Sequence, residues 1–156
     1  MASKVKPIPD GYRGAIPYLS CKEAAKALDF YKKAFGAKEL MRMAQPDGRI
    51  GHAEIKIGEA TIMLADEFPE MGFRSPQSLG GSPVGIHIYV ENVDAFAAQA
   101  TAAGAKVQRA VADQFYGDRN CTLEDPSGHV WMISTHVEDV PAEEIGKRAA
   151  ALYGQK

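Results

Sequence analysis

Two segments of the chain present the same order of structural signals, and this repeat restricts the possible folds more than any other feature. The first is GAIPYLSCKEAAKALDFYKKAFGAK, residues 14–38, and the second is GIHIYVENVDAFAAQATAAGAK, residues 85–106. Each opens with a short strand, passes an aromatic residue that we align as Tyr18 and Tyr89, continues as a helix and closes on Gly-Ala-Lys. The repeat predicts two similar modules in tandem.

Each module contains the pattern of one amphipathic helix. In the first, Ser20 and Glu23 have the spacing of a capping box, and Gly36 stands where a left-handed C-cap is expected. Apolar residues recur at helical spacing between these signals, at Ala24, Leu28, Tyr31 and Phe35. The second helix has a similar apolar stripe, formed by Val93, Phe96, Ala97, Ala100 and Ala103, and Gly104 ends it.

Three strand signals follow each helix. They are KELMRMAQ, RIGHAEIKIG and EATIMLADE in the first module and KVQRAVAD, RNCTLED and HVWMISTH in the second, with turns predicted at residues 45–48 and 125–128. The predicted fold is α+β, a single domain over residues 13–137 made of two β-α-β-β-β modules, residues 13–72 and 83–137, whose sheets form an open cleft. Residues 73–82 are predicted as a linker, residues 1–12 as a loose arm, and residues 138–156 as a C-terminal helix and tail.

Composition excludes several classes of partner. Eighteen basic and twenty acidic residues leave a net charge of −2 without a basic cluster, which argues against a nucleic-acid partner. No apolar run approaches the ~20 residues that a membrane helix needs, and no signal peptide is visible. Cys21 and Cys121 are far apart and form no Cys-x-x-Cys motif, which indicates a reduced, cytoplasmic protein.

Alternation along the strands predicts which side chains lie on the open face of each sheet. In RIGHAEIKIG, the apolar residues 53, 55 and 57 should contact the helix, leaving His52, Glu54 and Lys56 on the open face, where Glu54 and Lys56 could simply be solvated. His87 is a metal ligand, a substrate contact or a satisfied core residue. The candidate ligand-binding residues are Tyr18, His52, Met63, Glu67, His87, Tyr89, Arg119 and Met132.

Five segments together resemble the vicinal oxygen chelate superfamily, also called the glyoxalase/bleomycin-resistance/dioxygenase group, and especially its PhnB-like branch. They are IPYLSCKEAAKALDFYKKAFGAKEL, HAEIKIGEATIMLADE, DQFYGDR, LEDPSGHVW and STHVEDVPAEE, within a match from residue 12 to about residue 148. The resemblance implies paired β-α-β-β-β modules, a homodimer and a cleft that holds the active or binding site.

In the metal-using members of this superfamily, the ligands come from the first and last strands of each module. Those positions map onto Ile16, about Met63, His87 and Met132 in this sequence. Only His87 has a donor suited to zinc, nickel or ferrous iron, since thioethers favour softer ions. We therefore predict no metal and no cofactor, and assign no catalytic residue. A nonstandard metal site rebuilt around His87 with His52 and Glu67 remains an alternative.

The leading functional hypothesis is a metal-free small-molecule-binding protein whose polar contacts are His87, His52, Glu67 and Arg119. The alternative is a lyase, isomerase or dioxygenase-like enzyme that uses His87 on a small oxygenated substrate. The third is a structural or protein-interaction module. Substitution of His87 by alanine separates the first two, because an enzyme loses turnover by orders of magnitude whereas a binder loses one contact of about 1 to 3 kcal/mol.

Overall fold

Each half of the chain builds one four-stranded mixed sheet with a helix packed on it. The computed structural model describes residues 5–154 and separates two units, residues 1–80 and 81–156. The boundary falls within the segment predicted as the linker. Both units have the predicted β-α-β-β-β order, and a helix follows the second, so the predicted α+β class and C-terminal helix are confirmed.

The first unit contains β1 (Tyr18–Cys21), α1 (Ala24–Phe35), β2 (Lys38–Ala44), β3 (Ile50–Ile57) and β4 (Ala60–Asp66). Its sheet has the order β1-β4-β3-β2, with β1 parallel to β4 and the other pairs antiparallel. A 3-10 helix (Pro69–Met71) and the short helix α2 (Pro76–Leu79) follow.

The second unit contains β5 (Gly85–Tyr89), α3 (Val93–Ala102), β6 (Lys106–Asp113), β7 (Asp118–Glu124), β8 (Val130–His136) and α4 (Ala142–Tyr153). Its sheet order, β5-β8-β7-β6, repeats that of the first unit, again with one parallel pair. The three strands predicted after each helix are therefore all present.

Alternation along β3 correctly predicts the residues that pack under α1. Ala53, Ile55 and Ile57 are buried, and so is the predicted apolar stripe of the helix. Glu54 is also buried, although it lies on the opposite face. The alternative interpretation of Glu54 as a solvated residue is therefore wrong, and its carboxylate needs partners within the protein.

The two predicted turns are present and closely similar. The amide of Gly48 donates to the carbonyl of Gln45, and the amide of Gly128 donates to the carbonyl of Asp125, each at 2.9 Å. Both glycines have a positive φ, 87° and 89°. This conformation is accessible to glycine at little cost, which is why the two turns carry it at the same position.

The start of α1 differs from the predicted capping box. Glu23 is the N-cap residue and its side chain makes no capping hydrogen bond. The carboxylate of Asp66, on β4, instead accepts from the amide of Ala24 at 2.8 Å and from the amide of Ile50 at 2.6 Å. A residue distant in sequence thus performs the task that we assigned to Ser20.

The same construction in the second unit corrects our alignment of the repeats. Thr135 accepts from the amide of Val93, the first residue of α3, as Asp66 does for α1. In the first unit, Met63 lies three residues before Asp66 and pairs with Tyr18 across the parallel strands. In the second unit, Met132 lies three residues before Thr135 and pairs with His87. Tyr18 is therefore the structural counterpart of His87.

That result has two consequences for the predictions. Matching Tyr18 to Tyr89 was wrong by two residues. Mapping a family ligand position onto Ile16 was wrong by the same amount, because β1 begins at Tyr18. Tyr18 and Tyr89 are separated from the helices that follow them by different lengths of chain. Matching the two segments by the order of their signals does not reveal this difference.

The end of the predicted arm is attached to the first unit. Tyr12 donates a short hydrogen bond to Glu54, and the carbonyl of Gly11 accepts from Thr61 at 3.3 Å. Residues 11 and 12 are therefore not loose, whereas residues 1–4 lie outside the described part of the chain, as do residues 155 and 156.

The predicted linker is also structured, because α2 forms within it. Ser75 caps this helix by accepting from the amide of Ser78, and Gly80 ends it in the left-handed conformation. The carboxylate of Glu67 accepts from the amide of Ser75 at 2.8 Å and from the hydroxyl of Ser78 at 2.9 Å. Glu67 thus attaches this segment to the end of β4.

Helix α4 is held to the second unit mainly by polar contacts. Arg148 makes a two-point ion pair with Glu138, at 2.8 and 2.9 Å, and donates to the carbonyl of Phe115. Of the predicted apolar stripe, Ile145 and Ala149 are half-buried, whereas Leu152 is exposed. Within residues 5–154, none of the helices is long and apolar enough to span a bilayer.

Candidate functional site

A row of hydrogen-bonded side chains crosses the open face of the first sheet. His52 Nε2 lies 3.1 Å from Glu54 Oε1, and His52 Nδ1 lies 2.6 Å from the Tyr18 hydroxyl. Residues 52 and 54 share a face because they are two apart on β3. We call Tyr18, His52 and Glu54 the Tyr-His-Glu row, and Tyr12 donates to its inner end.

The charges along the row follow from its hydrogen bonds. The hydrogen bond from Tyr12, assisted by His52, lowers the pKa of Glu54 despite its burial. Partial burial and the nearby Glu54 charge raise the pKa of Tyr18. Glu54 is thus a carboxylate that only accepts, and Tyr18 is a phenol that can donate. The network therefore assigns the imidazole proton to Nε2 and leaves Nδ1 to accept from Tyr18.

A cavity of about 470 Å³ lies against the outer end of the row. Phe73 packs edge-on against the ring of Tyr18, with centroids 5.5 Å apart, and Phe68 pairs with Phe73 through their backbones. The volume is within the range of sites that hold small organic molecules. None of its lining residues has a charged side chain; they are Tyr18, Gln45, Gly51, Ala65, Phe68, Met71 and Phe73.

Two other predicted residues of the first unit take different positions. Met63 is the register partner of Tyr18 across the parallel pair of strands and is half-buried. Glu67 is committed to Ser75 and Ser78, and the backbone hydrogen bond from Ser75 lowers its pKa. Glu67 therefore anchors the segment that carries the cavity wall, and its role as a direct ligand contact stays a prediction.

The second unit groups a different set of polar residues around His87. His87 Nε2 lies 2.7 Å from Ser134 Oγ, and its ring stacks on Tyr89 with a centroid distance of 5.0 Å. Met132, beside His87 in the register, is partly exposed. Ser134 is fully buried, so its hydroxyl orients the imidazole and is not accessible as a nucleophile.

Tyr89 extends this group to a buried carboxylate. Its hydroxyl donates to Asp118 at 2.7 Å, and His136 approaches the other oxygen of Asp118 at 2.8 Å. Burial opposes the ionisation of Asp118, but the hydrogen bonds from Tyr89 and His136 outweigh it and lower the pKa of Asp118. Hydrogen bonds to Asp118 and Asp139 raise the pKa of His136.

A second cavity, of about 520 Å³, opens beside this carboxylate. It is more polar than the first cavity, and α4 and the segment before it supply one wall. Its lining residues are Tyr89, Tyr116, Asp118, His136, Asp139, Val140, Pro141 and Ile145.

Arg119 lies away from the open face of its sheet. Its guanidinium makes two hydrogen bonds to Asp94 on α3, both 2.8 Å, and one to Asp113 at 3.0 Å. These carboxylates raise the pKa of Arg119 further above its usual range. The structure thus places Arg119 on the helix-covered side, where it connects α3 to the sheet, and does not bring it together with His87 and Tyr89.

Several residues beside the Tyr-His-Glu row and around His87 were not predicted from the sequence. Tyr12 lay in the segment that we predicted to be loose, and Phe73 in the predicted linker. Asp118 and His136 become neighbours only through the pairing of β7 with β8, where they are register partners. Alternation along β8 could have indicated that His136 lies on the same face as Met132 and Ser134.

The corrected family ligand positions do not fit a catalytic divalent metal. They hold Tyr18 and Met63 in the first unit and His87 and Met132 in the second, which supply a phenol, two thioethers and one imidazole. Catalytic zinc sites use three nitrogen, oxygen or thiolate ligands, so this donor set is poorly matched. In the described part of the chain, no three histidine, cysteine, aspartate or glutamate side chains are grouped to hold a metal ion.

Comparison with known proteins extends these observations. Residues 16–133 match the family model described as the Glyoxalase/Bleomycin resistance protein/Dioxygenase superfamily. An uncharacterized protein of Mycobacterium tuberculosis (strain H37Rv) is 47% identical over 132 residues, which are 83% of this chain and 78% of the relative. An uncharacterized Mycobacterium bovis protein has the same identity over the same length, with 87% of it covered.

Solved structures show the same fold at lower identity. TioX from Micromonospora sp. ML1 is 24% identical with a TM-score of 0.61, over 83% of this chain and all of TioX. The fosfomycin resistance protein FosX from Listeria monocytogenes, solved with Mn(II) and sulfate, is 17% identical with a TM-score of 0.61, over 88% of this chain and 97% of FosX. The matched residues, the relatives and the repeated topology agree, and the chain belongs to the Glyoxalase/Bleomycin resistance protein/Dioxygenase superfamily.

Proposed function

We propose that this protein binds a small organic molecule without a divalent metal, in the cavity of the first unit. The observation that carries the proposal is this aromatic cavity of about 470 Å³ with Tyr18 in its lining. Aromatic and methionine side chains provide apolar contact area, and Tyr18 and Gln45 provide directional hydrogen bonds. A neutral, partly apolar ligand with a hydrogen-bonding oxygen fits this lining.

The absence of charged side chains among the lining residues restricts the chemical class of the ligand. No lining residue carries a formal charge. Arg49 stacks on the ring of Phe68 but is paired with Asp47. An ionised group of a ligand in this cavity would therefore lose hydration without gaining an unpaired counter-ion, which is costly. The ligand is therefore neutral where it enters the cavity.

Thermal shift with a panel of planar neutral compounds tests the binding site. Phe73→Ala removes the ring that packs against Tyr18 and opens the cavity wall, so we expect it to abolish the shift or to weaken binding at least tenfold. Phe115→Ala is the matched control, because Phe115 packs on Tyr116 and Tyr153 in the second unit. Equal binding by the wild type and Phe73→Ala would refute this location.

Metal content tests the other half of the proposal. We expect almost no metal after incubation with zinc, nickel, manganese or ferrous iron followed by desalting, both in the wild type and in His87→Ala. One ion per subunit that is lost in His87→Ala would contradict the proposal and support a rebuilt site around His87.

The finer attributes of the proposal are a homodimer, a cytoplasmic location and membership of the PhnB-like branch. Exposed apolar side chains on the edge strand β2 support self-association, namely Leu40, Met41 and Met43. Cys21 and Cys121 are both buried thiols, in agreement with a reducing compartment. Light scattering after size exclusion measures the oligomer, and a monomer at micromolar concentration would contradict the homodimer.

An enzyme that uses His87 on an oxygenated substrate is the second candidate. Its support is the exposed imidazole, which is oriented by Ser134 and stacked on Tyr89. His87→Ala would then reduce turnover by orders of magnitude, whereas under the binding proposal it leaves ligand binding in the first unit unchanged.

A further inference from the structure

The Tyr-His-Glu row is a continuous chain of hydrogen bonds, along which a proton can move. Exposure decreases inward: Tyr18 is 46% exposed, the His52 side chain 22% and the Glu54 side chain 9%. Only Tyr18 also lines the cavity. Tyr18 is therefore the member of the row that a molecule in the cavity can contact, while His52 and Glu54 are less exposed.

We propose that the Tyr-His-Glu row catalyses metal-independent proton transfer on a neutral, enolisable 1,3-dicarbonyl compound bound in the cavity of the first unit. This inference rests on the proposed function, because the same cavity must hold the compound. It adds a reaction to what is otherwise a binding site, and it assigns that reaction to residues other than His87.

The reaction needs no partner beyond the substrate and the row. The Tyr18 oxygen takes a proton from the carbon between the two carbonyl groups while its own proton passes to His52 Nδ1. The electron pair of the broken C–H bond becomes the enolate, and the imidazolium is stabilised by the Glu54 carboxylate 3.1 Å away. The reverse transfer delivers the proton to the enolate oxygen, so the product is the enol tautomer and the row is restored.

The resting charges of the row agree with this sequence of transfers. Burial and the Glu54 charge raise the pKa of Tyr18, so the free phenolate is disfavoured. Tyr18 can act as a base only if its own proton leaves at the same time, and the acceptor nitrogen of His52 lies 2.6 Å away. The short distance and the assigned tautomer meet that condition.

Carbon acidity and the lining of the cavity together favour a 1,3-dicarbonyl compound as the substrate class. Two carbonyl groups delocalise the developing negative charge, so the C–H bond can ionise without a Lewis acid. Gln45 lines the cavity, and a side-chain amide can donate to one carbonyl oxygen. The rings of Phe68 and Phe73 offer contact area to an aromatic substituent.

Ketonisation of benzoylacetone tests the inference, because the reaction is reversible and the enol absorbs in the ultraviolet. The enol is diluted from an apolar solvent into buffer, and its loss is followed with and without protein. We expect the wild type to accelerate the loss in proportion to protein concentration, and Tyr18→Phe to reduce the accelerated rate about 10²- to 10⁴-fold. Tyr153→Phe is the matched control and should retain the wild-type rate, since Tyr153 lies on α4 and is exposed.

Three further variants distinguish catalysis by the row from a structural contribution. His52→Gln and Glu54→Gln act through Tyr18, so we expect each to lower kcat at least tenfold with little change in KM. Glu54→Asp keeps the charge and should recover part of the rate. Nitrogen-15 NMR of the wild type should show His52 protonated on Nε2, and Glu54→Gln should alter this spectrum while the melting curve shows a folded protein.

The possible outcomes distinguish this inference from the proposed function. A rate no faster than buffer, or an accelerated rate that Tyr18→Phe leaves unchanged, overturns the inference. Ligand binding that depends on Phe73 without any ketonisation would overturn only the catalytic step. Loss of that dependence on Phe73 would refute the location of the binding site itself.

Discussion

The carboxylate of Asp66 accepts hydrogen bonds from two elements of the first unit. Replacing Asp66 with asparagine therefore tests how much these hydrogen bonds stabilise the fold. Its two oxygens accept from the amide of Ala24, at the start of α1, and from the amide of Ile50, at the start of β3. Asp66 is only 6% exposed. Water therefore cannot replace either hydrogen bond without local opening.

The expected cost follows from these contacts. An asparagine keeps one acceptor oxygen but turns its NH₂ group toward a backbone amide that is also a donor. The loss of one hydrogen bond to a charged group costs roughly 1.5–3 kcal/mol. The loss of negative charge beside the first turn of α1 adds roughly 0.3–1 kcal/mol. We expect Asp66→Asn to reduce the free energy of unfolding by about 2–4 kcal/mol.

Thr135 supplies the control, because its neutral hydroxyl accepts from the amide of Val93, the first residue of α3, as Asp66 accepts from the first residue of α1. Thr135→Val removes the acceptor for the amide of Val93 and the donor to the carbonyl of Val90 at nearly constant volume, and should cost about 1–3 kcal/mol. Urea denaturation of the wild type and both variants measures the difference, provided that the slope is unchanged. A cost for Asp66→Asn below about 1 kcal/mol would refute the reasoning.

Two further predictions concern backbone strain and acid stability. A Cβ at Gly117, where φ is 98°, would lie 2.1 Å from the carbonyl oxygen of Glu138, so Gly117→Ala should destabilise the protein by roughly 3 kcal/mol or more. Gly48→Ala is its control: φ is 87° but the space is open, so thermal denaturation should show a loss of only about 1–2 kcal/mol. The ion pair with Arg42 lowers the pKa of Glu39 to about 2. The stabilisation of the folded protein by this ion pair is therefore fully present above pH 4.5, the usual pKa of glutamate, and is lost as the pH falls toward 2. Glu39→Gln should therefore flatten the acid limb of the stability profile measured by urea denaturation, and an unchanged limb would contradict this assignment.

Local patterns were sufficient to predict the elements of this fold. Alternation along β3 identified Ala53, Ile55 and Ile57 as core residues, and helical spacing identified the buried face of α1. The glycine at each predicted turn has the positive φ that such a turn favours. These features depend on residues a few positions apart, so the sequence specifies them directly.

The site depended on contacts that no local pattern contains. His52 could be assigned to the open face of its strand, but its neighbour Tyr18 is 34 residues away, and Glu54 is 42 residues from Tyr12. Arg119 was predicted as a ligand contact, and no local pattern indicated its partner Asp94, which lies 25 residues earlier on α3. Strand register decides which side chains meet, and a shift of one residue would send each of them to the opposite face.

The sequence by itself determined the repeated module and the polarity of each strand, because those are properties of residue order and period, and five of its segments carried the resemblance to the family. The tertiary structure alone decided that Tyr18 is the counterpart of His87, that Asp66 caps α1 in place of Ser20, and that Tyr18, His52 and Glu54 form one row. Each of these results requires closing a chain loop onto one particular register. The free energy of that choice is distributed over a whole sheet and is not contained in any short segment.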